Sequence, residues 1–277
     1  MVVSHIITVS HTFSNLSVTT GPDPVLSFRV KFYPADPTRV REELTRFLMY
    51  LQLRRDLSQG RLQCTNDEMA FLLACVVQSE LGDYDASEHT GEYVSSLKLM
   101  PTANPKLEEV VASMHQNEMR GQNPAEAENA FLRKAASLET YGVDPQAVKD
   151  HKGNQFNLGI NHRGVLLFQG NRLTQLYAWK EIQKITYEGR MFIIHVFSSE
   201  KKLVMGYKCA SASAVHFLWK TAIEHKYFFT MSSSRDVPVV TAGGGLLSKK
   251  IKVRYRSVGR FFLNNNSFLI CSSFAYF

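Results

Sequence analysis

The stretch QFNLGINHRGVLLFQGNR (155–172) decides the fold, because within it the hydrophobic period is two, whereas in the chain before it the period is close to four. Phe156, Leu158 and Ile160 alternate with polar neighbours, Asn161–Gly164 turns the chain, and VLLF (165–168) forms a second strand. Gly170-Asn171 is a hairpin signal leading into RLTQLYAW (172–179). EIQKITYE (181–188), turned by Gly189, then MFIIHVF (191–197) and KLVMGYK (202–208) are further short strands. Ser211 then caps one helix whose Val215, Leu218, Trp219, Ala222 and Ile223 share a face, with Trp219 as a core anchor. Six or seven antiparallel strands closed by an amphipathic helix predict a small sandwich plugged by that helix.

Towards the N-terminus the punctuation is helical. Asp36-Pro37, Asn104-Pro105 and Asn123-Pro124 each set a short capping acceptor before a proline at the first helical position, where a missing N–H costs nothing. Val40, Leu44, Phe47, Leu48 and Leu51 predict one buried stripe on the first helix. Thr65 with Glu68 and Asn123 with Glu126 are capping-box patterns. Ala70, Leu73, Ala74 and Val77 line a second helix that stops at Gly82. Leu107, Val110, Val111 and Met114 line a third, and Ala127, Phe131 and Leu138 a fourth that runs to Gly142. The fold class is therefore α+β, a helical bundle followed by a β-sandwich with a C-terminal helix.

Charge divides with the fold. Residues 1–150 hold 14 Lys+Arg against 20 Asp+Glu, and residues 151–277 hold 18 against 5. A basic second half suits anionic lipid, nucleic acid or acidic peptide. The four cysteines (Cys64, Cys75, Cys209, Cys271) have no Cys-x-x-Cys spacing and read as reduced thiols. No apolar run approaches a membrane span, so any membrane contact is expected to be peripheral. A cysteine phosphatase needs an arginine six residues beyond its nucleophile, and those positions hold Ala70, Leu81, Val215 and Phe277. No G-x-S-x-G, H-E-x-x-H, dinucleotide fingerprint or Walker A pattern occurs. The expectation is a chain that is not an enzyme, with no catalytic residue, no cofactor and no metal site. No ribonucleoprotein or zinc-finger pattern occurs either, so no nucleic-acid partner is expected.

The motifs EELTRFLMYLQLRRDLSQGRLQC (42–64), VQSELGDYD (77–85), NPAEAENAFLRKAASLETYGVD (123–144), GVLLFQGNR (164–172) with AWKEIQKITYEG (178–189), and LWKTAIEHKYFF (218–229) resemble the FERM domain of the band 4.1 and ezrin-radixin-moesin superfamily. The resemblance covers roughly residues 25–230. It implies an acyl-CoA-binding-protein-like helical lobe over 35–148 and a pleckstrin-homology or phosphotyrosine-binding-like lobe over 149–230. Such domains begin with a ubiquitin-like lobe, and only VLSFRVKFYP (25–34) resembles its last strand, so most of that lobe is expected to be missing. A lone strand of this kind should be loosely held or paired elsewhere. Residues 1–24 and 261–277 read as irregular, and 231–260 as a basic FERM-adjacent linker.

The resemblance implies a peptide groove between the fifth strand of the β lobe and its C-terminal helix, mapped to Met191, Phe192, Ile193, Ile194, His195, Val196, Val215, His216 and Lys220. An extended peptide would add a strand at an exposed edge there. Lys201, Lys202, Lys249, Lys250, Lys252, Arg254 and Arg256 are the expected contacts to acidic lipid, phosphoinositide included. Ser257, three residues after Arg254, suits a basophilic kinase. The implied function is an adaptor that links cytoplasmic tails of transmembrane proteins and acidic membrane lipids to actin-cortex proteins. Its implied location is the cytoplasm and cytoskeleton, at the inner face of the plasma membrane. The alternative is a targeting or regulatory fragment of a FERM-containing tyrosine phosphatase or exchange factor without its catalytic domain.

Overall fold

The computed structural model describes residues 7–8, 29–102, 104–198, 201–231, 240–242, 251–257 and 272–276. It divides into two compact units, residues 35–141 and residues 1–34 with 142–277.

The first unit is helical. Asp36 caps a 3-10 turn at Pro37–Arg39, followed by α1 (Glu43–Ser58), α2 (Asn66–Leu81), α3 (Tyr93–Ser96), α4 (Pro105–Asn117) and α5 (Pro124–Ala136). Both capping boxes form: Glu68 N–H donates to Thr65 Oγ1 at 3.3 Å, and Glu126 N–H to Asn123 Oδ1 at 3.0 Å. From Leu72 to Gln78 every residue of α2 is buried, as expected of a helix walled in by its neighbours.

The buried stripe expected on the first helix is corrected. The helix starts at Glu43 rather than Pro37, and Leu44, Phe47 and Leu51 are 42%, 38% and 39% exposed. The face turned inward carries Thr45, Met49, Tyr50, Leu53 and Leu57. The α1 sequence holds two apolar stripes, and packing selects the one that continues to its C-terminal end. Tyr50 meets Phe131 of α5 edge-on, with centroids 5.1 Å apart.

In the second unit β1 (Ile7–Thr8) pairs with β2 (Arg29–Val30). Seven antiparallel strands follow: β3 (Gln146–Lys149), β4 (Gln155–Ile160), β5 (Gly164–Gln169), β6 (Arg172–Ala178), β7 (Ile182–Glu188), β8 (Met191–Ser198) and β9 (Lys201–Cys209). They lie in the order β6-β5-β4-β3-β9-β8-β7, and α6 (Ala212–Thr230) packs on the sheet. Leu158, Val165, Leu167, Ile185, Phe192 and Ile194 form the core with Val215, Leu218 and Trp219 of α6. Trp179 Nε1 donates to Asn161 O at 3.0 Å and pins the β4–β5 turn.

Beyond α6, β10 (Val240–Ala242), β11 (Ile251–Ser257) and β12 (Ser272–Tyr276) form a three-stranded sheet. The segments read as basic linker and irregular tail thus contain strands. Ile251, Val253 and Tyr255 alternate with Lys252, Arg254 and Arg256, a period-two pattern that the charge run disguised.

The piece read as a remnant strand continues past β2 onto the C-terminal helix. Lys31 forms an ion pair with buried Glu224, and Phe32 is surrounded by His225, Phe228 and Phe229 of α6.

Candidate functional site

The sheet ends on one side at β7, which has β8 along one edge only. On its other side α6 supplies donors. Trp219 Nε1 donates to Ile185 O at 3.1 Å, and Lys226 Nζ donates to the carbonyls of Ile182 and Gln183. These bonds fix α6 alongside the terminal strand β7. Tyr187 of β7 meets His216 and Trp219 of α6 edge-on, with centroids 5.9 and 5.4 Å away. His216 and Lys220 lie one turn apart on α6 and are half-buried. Burial, and then the adjacent Lys220 ammonium, hold the His216 imidazole below its usual value.

The groove strand expected from the sequence is corrected by this topology. Met191–Ser198 is paired on both sides, with β7 through Ile194↔Ile185 and with β9 through Ile194↔Met205, and has no free backbone edge. Phe192, Ile194 and Val196 point into the core with Val215, and Met191, Ile193 and His195 alternate with them. Of the expected groove residues on α6, His216 meets β7 through Tyr187, and Lys220 lies one turn further along the helix. The error is one of counting. The first strand of the lobe, β3, is the four-residue QAVK in which Val148 alone is buried, and its weak signal shifted the fifth strand from β7 to β8.

Of the expected lipid contacts, Lys202 is exposed at the start of β9, and Lys201 opens that strand opposite Ser198. Lys252, Arg254, Arg256 and Ser257 fall in β11, in register with Thr241, Ala275, Ser273 and Ser272. Lys249 and Lys250 lie outside the described residues.

No group of three or more His, Cys, Asp or Glu able to hold a metal occurs among the described residues. Burial pushes the Cys64 and Cys209 thiols up to about 11 and Cys75 to about 12, so none of these three is an activated nucleophile. No helix among the described residues is long and apolar enough to cross a membrane.

The family models match these two units in order: the FERM central domain over residues 35–145, and the FERM C-terminal PH-like domain over residues 150–237. The chain belongs to the FERM family. It is 38% identical to dog Protein 4.1 over 215 residues, which cover 76% of this chain and 26% of the relative. It is 36% identical to human Band 4.1-like protein 4A over 240 residues, covering 86% of this chain and 34% of that protein. The FERM chain thus spans about a quarter to a third of the length of such curated relatives. The structure of the FERM and C-terminal domain complex of Drosophila merlin superposes with a TM-score of 0.63 at 16% identity, covering 74% of this chain and 72% of that one. The C-terminal MyTH4-FERM domain of human myosin 7b, solved with the harmonin-a PDZ3 domain, gives 0.53 at 16% identity, covering 72% and 42%. These likenesses establish the shared fold: a helical FERM lobe and a PH-like lobe.

Proposed function

We propose that this FERM chain is a non-catalytic adaptor that links cytoplasmic tails of membrane proteins, and acidic phospholipids, to the actin cortex from the inner face of the plasma membrane. The observation that carries the reading is the terminal position of β7 beside α6. A terminal strand offers main-chain groups to an extended peptide, while the adjoining helix supplies selectivity through side chains. His216 and Lys220 give the helix wall a polar, cationic stretch suited to a tail with acidic residues next to its extended segment. The basic residues Lys201, Lys202, Lys249, Lys250, Lys252, Arg254 and Arg256 supply the membrane contact, at about 1 kcal/mol per cation near an anionic surface. Phosphorylation at Ser257 would remove about two charges from that run and weaken it. Similarity to Protein 4.1 and the fold shared with merlin support the same reading.

The test is a screen of synthetic cytoplasmic-tail peptides from single-pass membrane proteins. A peptide that binds should slow hydrogen exchange of the Ile182–Glu188 amides and lose about tenfold in affinity on His216→Glu/Lys220→Glu at unchanged thermal midpoint. Binding that instead protects only the helical unit, or that ignores the double substitution, would reject the groove. Sedimentation with neutral and acidic vesicles checks the lipid arm, and equal binding to both would reject it.

A further inference from the structure

Helix α1 carries a second apolar face that its own unit leaves uncovered. Leu44, Phe47 and Leu51 are spaced by three and then four residues, the a, d and a positions of a heptad. A strict stripe of this kind is the narrow seam along which one helix pairs with another, narrower than the face a helix turns to a globular core. Eight large apolar side chains are exposed among the described residues, and three of them make up this seam. Scattered exposed apolar residues need no explanation, whereas a contiguous row marks a contact surface.

The seam has opposite charges at its two ends. Glu43 precedes Leu44 at a g position, and Arg54 takes the next d position after Leu51. Glu43 is exposed and has no ion pair among the described residues. Arg54 donates one N–H to Glu80 of α2, and its guanidinium has further donors to offer. Beside the C-terminal half of the seam opens a cleft of about 730 Å³, whose lining includes Leu51 and Arg54 of α1 with Val94, Leu99 and Met100 across from them.

We infer that α1 is a self-association surface on which α1 of a second copy of this chain lies antiparallel. In that direction a positions face d positions. Phe47 of each copy therefore packs on Leu51 of the other, and Leu44 on the aliphatic stem of Arg54. The same register brings Glu43 of each copy to Arg54 of the other, so one two-fold axis makes two identical ion pairs. A parallel pair would set Glu43 against Glu43 and Arg54 against Arg54, so the charges select the antiparallel arrangement. Phe47 of the second copy then arrives beside Leu51 at the mouth of the cleft, an aromatic knob for a largely apolar hole. From Leu44 to Arg54 the seam is about 15 Å long, which puts the contact in the weak, reversible class. The inference concerns the helical unit alone and does not rest on the adaptor reading.

The test is sedimentation equilibrium of the full chain from about 10 μM to about 1 mM, a range that covers weak association. Wild type should pass from monomer to dimer across it. Phe47→Ser and Leu51→Ser should each weaken the dimer at least about tenfold, with far-UV circular dichroism unchanged because both side chains lie on the outer face. Val110→Ser, at an exposed apolar position of α4 outside the seam, should associate like wild type. Glu43→Arg and Arg54→Glu should each weaken the dimer about tenfold, since like charges then meet at both ends. An equimolar mixture of these two variants should associate again, because at each end an arginine of the first then faces a glutamate of the second. A change confined to the fold of one chain would not be repaired by mixing. Association that persists in Phe47→Ser and Leu51→Ser, or a mixture no stronger than its components, would overturn the inference by placing the contact elsewhere. A monomer at every concentration would overturn it in favour of a different chain on the seam.

Discussion

The ring of Phe32 lies flat against that of Phe228, with centroids 4.3 Å apart and planes 12° from parallel. Phe32 is 1% exposed, and the rings of His225 and Phe229 close around its other sides. A segment preceding the helical unit in sequence is thereby part of the hydrophobic packing of the last helix of the β unit. Its removal should be felt there.

Phe32→Ala should therefore destabilise the β unit by about 3–5 kcal/mol, the range for deleting a buried aromatic side chain. Both tryptophans, Trp179 and Trp219, lie in that unit, so urea unfolding followed by tryptophan fluorescence reads it selectively. A midpoint unchanged from wild type would show that the segment is dispensable. Lys31→Ala should cost about 2 kcal/mol by leaving the buried Glu224 carboxylate without its cation. The double change Lys31→Met/Glu224→Leu should recover much of that loss.

The second prediction concerns the face of α1. Met49→Ala, at a fully buried position, should cost about 2–5 kcal/mol, whereas Phe47→Ser, on the exposed stripe, should stay within about 1 kcal/mol of wild type. Circular dichroism of urea unfolding decides between them. The opposite ranking would restore the stripe expected from the sequence.

That stripe shows where local pattern stops being informative. The capping chemistry at Thr65, Asn104, Asn123 and Ser211 was legible because a cap is settled by residues three apart, and each of these side chains accepts the expected backbone N–H. The choice between two apolar faces of α1 depends on Phe131, far along the chain. The β7–α6 groove failed in the same way. A four-residue first strand with one buried side chain carries almost no period-two signal, so a strand count from sequence reaches the doubly paired β8 in place of the terminal β7. The helix α6 that carries His216 and Lys220 was legible from its Ser211 cap and apolar face. The partner of Phe32 lies at the far end of the β unit, where no local rule reaches.

At Gly164 a close approach of two backbones leaves no room for a side chain. An added Cβ would lie 2.0 Å from the Tyr177 carbonyl oxygen and 3.0 Å from Ala178 Cα, at the β5–β6 pair Gly164↔Ala178. Both obstacles are main chain and cannot rotate away. Gly164→Ala should therefore cost more than about 3 kcal/mol in the β unit, beyond the usual penalty for overpacking. Gly189→Ala, in a turn with open space around it, should cost less despite its φ of +56°. Comparable midpoints for the two variants would contradict the close approach.

The last prediction follows from His225. Burial, with the Lys31 ammonium next in importance, holds its imidazole down to about 3 in the folded chain. The ordinary histidine value, about 6.5, applies once the chain unfolds. The unfolded chain therefore binds the proton more readily, and acid favours unfolding. The contribution is fully present above about pH 6.5 and is lost as pH falls through the window towards 3, at a limiting slope of about 1.4 kcal/mol per pH unit. Between pH 7 and pH 5 the β unit should lose about 2 kcal/mol from this group alone. His225→Gln removes the proton acceptor while keeping an amide able to donate to Thr221 O, the partner of His225 Nδ1 at 2.9 Å. Tryptophan-monitored urea unfolding should show that variant less stable than wild type at pH 7 but with a flatter dependence on acid. His115, also held low by burial, lies in the helical unit and contributes a slope of the same sign there. A parallel pH dependence in wild type and His225→Gln would place the acid sensitivity of the β unit on other groups.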